Sequence, residues 1–281
     1  MNYRHAYHAG NFADVFKHAL LARILLHLTT KDTPFRYMDS HAGIGLYDLT
    51  SPEAAKTSES KQGVVRFLAT PRPPQLEPLF APYLSALKAF NAMDGRHYPG
   101  SPMIGAHLLR PQDRLSLAEL HPEDARELQR RLDHDSRVRI VATDGWAALK
   151  AWLPPPERRG LVLIDPPFEE ENELARLVQA LPAAHQKWPT GCFALWYPVK
   201  AYRDTERFVA TIQALAIPKT LRLELMVDAG GDARKLNGNG LIIVNPPWKL
   251  KNEAVAMLPW LAKALATGAH TQWKAEWLVG E

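Results

Sequence analysis

The chain has 281 residues, 46% of them hydrophobic and 23% charged, which suits one large folded domain with an insertion and excludes a disordered chain. Its single cysteine, Cys192, rules out an internal disulfide and fits a reducing compartment, and no run of about 18 apolar residues is present to span a membrane. The opening Met-Asn-Tyr-Arg-His lacks an apolar signal core, so a cytoplasmic protein is expected, and a net charge of +4 permits a polyanionic partner without requiring one.

Polar and aromatic groups crowd residues 3–17, and from about Ala13 to Leu28 apolar residues recur at helical spacing. A first strand at 35–38 ends in Asp39-Ser40-His41-Ala42-Gly43-Ile44-Gly45, a glycine turn of the kind found where a nucleotide approaches backbone. Two helical patterns, 53–69 and 76–92, flank Pro71-Arg72-Pro73-Pro74. They predict a helical insertion at 51–94, leaving 1–50 and 95–281 as the main domain. In Tyr98-Pro99-Gly100-Ser101-Pro102, Ser101 is expected to cap a short helix that has Pro102 at its first position.

From there strands and helices alternate: strand 115–120, helix 122–132, strand 138–143, helix 146–152, strand 161–164, helix 170–181, strand 193–197, helix 205–215. Alternation of this kind predicts an α/β fold, a parallel sheet with helices on both faces. Strands 220–227 and 241–244 are joined by a glycine-rich segment too short for a crossover helix, so they are expected to be antiparallel neighbours. A helix at 253–264 and a short tail close the chain.

Asp165-Pro166-Pro167-Phe168 follows directly on the last apolar residue of strand 161–164. Alone, it reads two ways. Proline ends strands and Asp favours turns, so it is an ordinary exit from a sheet; it also suits holding a planar, amine-bearing ring. A nucleobase amine is a poor nucleophile because its lone pair is delocalised, and its methylation needs an acceptor that lets the nitrogen pyramidalise. Asp165 accepts, the prolines stiffen the turn, and Phe168 stacks on the ring, an interaction worth roughly 1–3 kcal/mol. Asn245-Pro246-Pro247-Trp248 repeats the design after strand 241–244. Strand direction separates the two: Asp165 belongs to the edge where parallel strands end, Asn245 to the opposite edge, where a structural role is expected.

Ligands of open parallel sheets sit outside the carboxyl ends of the strands. Asp39, Glu119, Asp144 and Asp165 are all expected there, and carboxylates sharing one crevice repel unless a cationic or hydroxyl-rich ligand joins them. S-adenosylmethionine, with its sulfonium, ammonium and ribose diol, is such a ligand.

The local motifs converge on a family. Tyr-Arg-His-x-x-His-Ala-Gly-Asn at 3–11, Asp-Val-x-Lys-His at 14–18, Asp-x-His-Ala-Gly-x-Gly at 39–45, Tyr-Pro-Gly-Ser-Pro at 98–102 and Glu-Leu-His-Pro at 119–122 recur together with Ile-Asp-Pro-Pro-Phe at 164–168, Trp-Tyr-Pro-Val at 196–199 and Asn-Pro-Pro-Trp-Lys-Leu at 245–250. Along essentially its whole length the chain resembles the ribosomal RNA large-subunit methyltransferase J family, enzymes that methylate N6 of an adenine in 23S rRNA.

The resemblance implies a class I S-adenosylmethionine-dependent methyltransferase. Its fold is Rossmann-like, a seven-stranded sheet with an antiparallel last strand, carrying a small helical insertion. It implies S-adenosyl-L-methionine as cofactor, naked or early-assembly 23S rRNA as partner, and a monomer. By position, His18, His41, Gly43, Ser101, Glu119, Asp144, Gly145 and Asp165 are expected at the cofactor, and Asp165, Pro166 and Phe168 at the chemistry. Tyr3, His5 and Lys17 are expected to contact the RNA or gate the pocket, with further phosphate contacts from Lys56, Lys61, Arg66 and Arg72.

No metal is expected, since the His5/His8 pair lacks a cysteine or acidic partner at ligand spacing. Two rivals share parts of this pattern. A DNA adenine methyltransferase usually carries a larger recognition domain, and a nicotinamide oxidoreductase leaves Asp165–Phe168 without a purpose.

Overall fold

The computed structural model describes residues 4–169 and 172–280. After a 3-10 turn at His5–Tyr7, helix α1 (Phe12–Thr29) starts at Asn11, whose side chain accepts from the Asp14 N–H at 2.9 Å. Every residue from Phe12 to Leu25 is buried. A helix wrapped on all sides by protein shows little amphipathic stripe, and it carries Asp14, Lys17, His18 and Arg23 into the interior.

Strand β1 (Arg36–Asp39) and the short β2 (Leu46–Asp48) lead into α2 (Pro52–Thr57), α3 (Val64–Ala69) and α4 (Glu77–Ala89). Strand β3 (His97–Pro99) returns and pairs antiparallel with β2, so the helical excursion leaves and re-enters through one hairpin. Then follow α5 (Ser101–Leu108), β4 (Arg114–Glu119), α6 (Pro122–Leu132), β5 (Val138–Ala142), α7 (Gly145–Trp152), β6 (Gly160–Ile164), α8 (Glu173–Lys187), β7 (Cys192–Val199), α9 (Tyr202–Ala214), β8 (Thr220–Met226), β9 (Gly238–Val244), α10 (Leu250–Ala264) and β10 (Gln272–Val279).

Eight of the strands form one sheet in the order β10-β8-β9-β7-β6-β1-β4-β5. Strands β5, β4, β1, β6 and β7 run parallel, while β9 is antiparallel to both of its neighbours, as its short connection to β8 requires. Strand order reverses between β1 and β6, which places the ligand crevice of the fold at the ends of those two strands. Helices α1, α4, α5 and α10 bury one face of the sheet, and α7, α8 and α9 the other. No helix among the described residues is long and apolar enough to cross a membrane.

Four expectations need correction. The sheet has eight strands rather than seven, because the supposed tail is β10, paired antiparallel with β8. Its alternation of Trp273, Ala275 and Trp277 with Lys274 and Glu276 has the strand period, but Trp273 and Trp277 stay partly exposed and so lack the usual burial signal. Helix α8 runs through Pro182 to Lys187 instead of ending at 181; burial of Leu177, Leu181 and Ala184 on one face outweighs the hydrogen bond that proline removes. Gly100, not Ser101, precedes α5, which frees the serine hydroxyl. Arg72, expected to meet phosphate, lies 4.8 Å from the Phe67 ring and 5.5 Å from that of Trp260 and bonds the Phe67 carbonyl, which fastens the helical excursion to α10.

Asn245 adopts a left-handed φ of 50°, and its amide donates to the carbonyls of Pro189 and Gly191 at 2.8 and 2.9 Å. It therefore locks the end of β9 to the start of β7, at the edge away from Asp39 and Asp165. Asn245→Ala loses both bonds and puts a poor residue in that conformation. We expect it to lose about 1–3 kcal/mol of stability in urea titration, with ligand binding at the opposite edge kept.

His18 is 2% exposed, and its Nδ1 meets the Tyr98 hydroxyl at 2.7 Å, which in turn meets Tyr83 at 3.0 Å, joining α1 to β3 and α4. Burial pushes the imidazole pKa down to about 3. The folded state thus binds fewer protons than the unfolded chain between about pH 3 and 6.5, and this stability is present above about pH 6.5 and lost on acidification. Going from about pH 7 to pH 5, wild type should lose on the order of 2 kcal/mol that His18→Gln does not, read from denaturation midpoints at both pH values.

Candidate active site

Parallel register brings the ends of three strands together: Asp39 stands opposite Leu117 of β4 and Leu163 of β6, so Asp39, Glu119 and Asp165 share one edge. Over this edge opens a cavity of about 730 Å³. It is lined by residues of the 5–18 segment, the turn from His41 to Gly43, Ser101, Glu119, His121, Asp165–Phe168 and Trp196, and because β1 stands between β6 and β4, Asp165 and Glu119 lie at opposite ends of this edge.

The Lys17 ammonium is the main charge at the Asp165 end. Only 4% exposed, it lies 2.5 Å from Asp165 Oδ2 and 3.0 Å from Asp14 Oδ1. Burial works against the charge, but the two carboxylates more than offset it and hold the Lys17 pKa above its ordinary value. Asp14 is buried as well, yet His5 and Lys17 hold it well below the usual carboxylate range; it accepts from His5 Nε2 at 2.8 Å and the Gly10 N–H at 2.9 Å. Through this chain the N-terminal segment is fixed to the end of β6.

Pro166 and Pro167 carry the backbone to Phe168, which sits at a left-handed φ of 53°. Its ring meets Trp196 of β7 edge-on, centroids 5.4 Å apart, and the Trp196 indole donates to Asn239 Oδ1 at 3.0 Å. Lys17 Nζ lies 5.7 Å from the same indole. A flat apolar surface beside a fixed carboxylate suits a planar ring with an amine on its edge.

At the opposite end Glu119 accepts from the Gly43 N–H and the His121 N–H, both at 2.8 Å. Burial still raises its pKa above the ordinary value. Gly43 has φ 63°, and a Cβ there would meet the Tyr47 hydroxyl at 2.2 Å, so the turn needs glycine. Asp39 is fully buried, and burial lifts its pKa to about 6 against hydrogen bonds from Ser101, Tyr37 and His41. His41 bonds Ser40 Oγ at 2.8 Å, and burial lowers its pKa to about 4, so at neutral pH a neutral imidazole faces the cavity.

His18, His41, Gly43, Ser101, Glu119, Asp165, Pro166 and Phe168 all line the one cavity, with His5 and Lys17. Asp144 and Gly145 are not among its lining residues. Asp144 caps α7 by accepting from the Ala147 N–H at 2.9 Å, and a Cβ on Gly145 would meet the Ser40 carbonyl at 2.1 Å, so this glycine packs the helix against the turn. Tyr3 lies outside the described residues. Of the basic residues in the helical excursion, Lys56 stacks on Tyr7 at 5.6 Å and Arg66 bonds the Ala266 carbonyl. His5 and His8 each meet a carboxylate, Asp14 and Glu59.

Sequence reading gave no site role to Trp196, Lys200 or Lys235, which also line the cavity. The alternation Trp196, Pro198, Lys200 along β7 held that signal for the first two of them, since side chains two apart share a strand face; Lys235 is a loop residue with no pattern of its own.

A family model described as "Ribosomal RNA large subunit methyltransferase D, RlmJ" matches residues 32–279. Two relatives named ribosomal RNA large subunit methyltransferase J, from Escherichia coli (strain K12) and Haemophilus influenzae, are 41% and 40% identical to the chain, each alignment covering all of both proteins. A crystal structure from Legionella pneumophila superposes with a TM-score of 0.86 at 36% identity, over 96% of this chain and 98% of that one. With a family model over most of its length and full-length relatives at this identity, the chain belongs to the ribosomal RNA large subunit methyltransferase J family.

Proposed function

We propose that the protein methylates N6 of an adenine in 23S rRNA, with S-adenosyl-L-methionine as donor and naked or early-assembly RNA as acceptor, acting in the cytoplasm. The observation that carries this reading is the Asp165-Pro166-Pro167-Phe168 turn, its carboxylate fixed by Lys17 and its aromatic ring beside Trp196, at one end of a cavity whose other end holds Glu119. The names of the full-length relatives support the RNA substrate.

The donor end fits a hydroxyl-rich ligand. Glu119 has one backbone N–H on each oxygen, which fixes the carboxylate and leaves lone pairs free for a ribose diol. The turn at Gly43 has no Cβ, so backbone can approach the methionine portion. S-adenosylmethionine supplies an electrophilic methyl group on a sulfonium. The neutral His41 and His18 add no positive charge near it.

At the acceptor end a target adenine turned out of its stack enters against Phe168 and Trp196. Lys17 occupies Asp165 Oδ2, so the other oxygen accepts from the N6 amine, and the Pro166 carbonyl can take the second N–H. Held this way, the nitrogen lone pair turns toward the methyl group at about 3–3.5 Å, and positioning supplies much of the rate. The proton shed by N6 leaves toward Asp165, the nearest acceptor.

Asp165→Asn keeps the volume and removes the charge. It should lower kcat by about 10²–10⁴-fold on unmodified 23S rRNA while binding of S-adenosylmethionine holds. The assay is transfer of labelled methyl followed by nucleoside analysis. Label in a nucleoside other than N6-methyladenosine, or full activity in a folded Asp165→Asn protein, would overturn the reading.

A further inference from the structure

Besides Phe168 and Trp196, the cavity is lined at an exposed margin by residues that the proposed methyl transfer does not use. Trp196, Pro198 and Lys200 stand at alternate positions along β7 and the residue after it, so they follow one face of the chain from the aromatic surface outward, and all three line the cavity. Facing them is the β8–β9 connection, which contributes Lys235, Leu236 and Asn237.

Asn237 fastens the two sides. It is 6% exposed, its backbone N–H donates to the Val199 carbonyl at 2.9 Å, and its side-chain amide donates to the carbonyls of Lys200 and Asp232 at 3.1 and 2.8 Å. Both side-chain protons are thus spent on holding one lysine-bearing segment against the other. The connection packs closely around it: a Cβ on Gly231 would meet Asn237 Oδ1 at 2.2 Å. Two residues on, Asn239 holds the Trp196 indole, so one strand end fixes both the ring and the lysines.

The charges at this margin are unspent. Lys17, deeper in the cavity, is neutralised by Asp14 and Asp165. Among the described residues neither the Lys200 nor the Lys235 ammonium has a hydrogen bond or ion pair; Asp232, the nearest acid to Lys235 in sequence, is already forked by Arg234 at 2.6 and 3.0 Å. Two exposed cations lining the same cavity as a base-stacking surface match a nucleotide's own layout, an apolar base joined through sugar to anionic phosphates.

We propose that Lys200 and Lys235 bind the phosphodiester groups flanking the target base, positioning the strand so that the base falls between Phe168 and the donor. This rests on the acceptor being an RNA nucleotide. Phosphate contacts set register and carry no sequence information, so the lysines govern affinity for the strand, while Asp165 and Phe168 govern which base reacts.

The test is the Lys200→Ala/Lys235→Ala double variant, compared with Lys88→Ala/Lys263→Ala, an equal loss of charge at exposed lysines outside the cavity. Filter binding of unmodified 23S rRNA across a salt series should show the slope of log K against log salt fall by about 1.4 for the first variant, two single-strand phosphate contacts, and hold for the control. KM for RNA should rise at least about tenfold, with S-adenosylmethionine binding retained by calorimetry, and Lys200→Arg/Lys235→Arg should restore both. An unchanged slope and KM, or equal losses in both alanine variants, overturns the proposal. Failure of wild type to methylate adenine would overturn the functional reading alone, because the salt slope reads phosphate contact without any transfer.

Discussion

The Lys17 ammonium, buried between Asp14 and Asp165, is the interaction on which the active end of this molecule depends. A desolvated cation is tolerable only when paired, and removing one partner of such a group typically costs about 3–5 kcal/mol. Here the pairing joins parts far apart in sequence: the first turn of α1, the segment that His5 and Gly10 attach to Asp14, and the exit of β6. It also gives a reason for a carboxylate at position 165. An amide there would accept a weaker hydrogen bond from a base amine and take up no proton, and it would leave Lys17 with Asp14 alone of its two carboxylate partners.

The same economy of charge runs through the rest of the cavity. His18 and His41 are buried enough to be neutral, Asp39 is pushed toward neutrality, and Glu119 is steadied by two backbone N–H groups rather than by a cation. Fixed positive charge is thereby concentrated at Lys17 within the cavity and at Lys200 and Lys235 on its exposed margin.

The two prolyl turns show how topology assigns different duties to like sequences. Both follow buried strands, and both place a residue in left-handed conformation, Phe168 in one and Asn245 in the other. Because β9 runs against β7, its end lies beside the start of β7, where Asn245 serves two carbonyls and Trp248 stays 81% exposed. Because β6 runs with β1, its end lies at the switch in strand order.

Period and punctuation determined the α/β alternation, the antiparallel β8–β9 pair, the turn at Asp39–Gly45 and the Asp165–Phe168 motif, since these are local properties that survive in any context. Beyond the β8–β9 pairing, strand order came only from the structure. The partners of each charge were not legible. That Lys17 reaches across 148 residues to Asp165, that Ser101 serves Asp39 and not a helix cap, that Arg72 is a packing residue, and that Asn237 draws Lys200 and Lys235 to one margin depend on distances between segments remote in sequence. β10 was missed for a related reason: an edge strand gains its hydrogen bonds from β8 while burying little, so its own residues carry a weak signal, and only the assembled sheet supplies the rest.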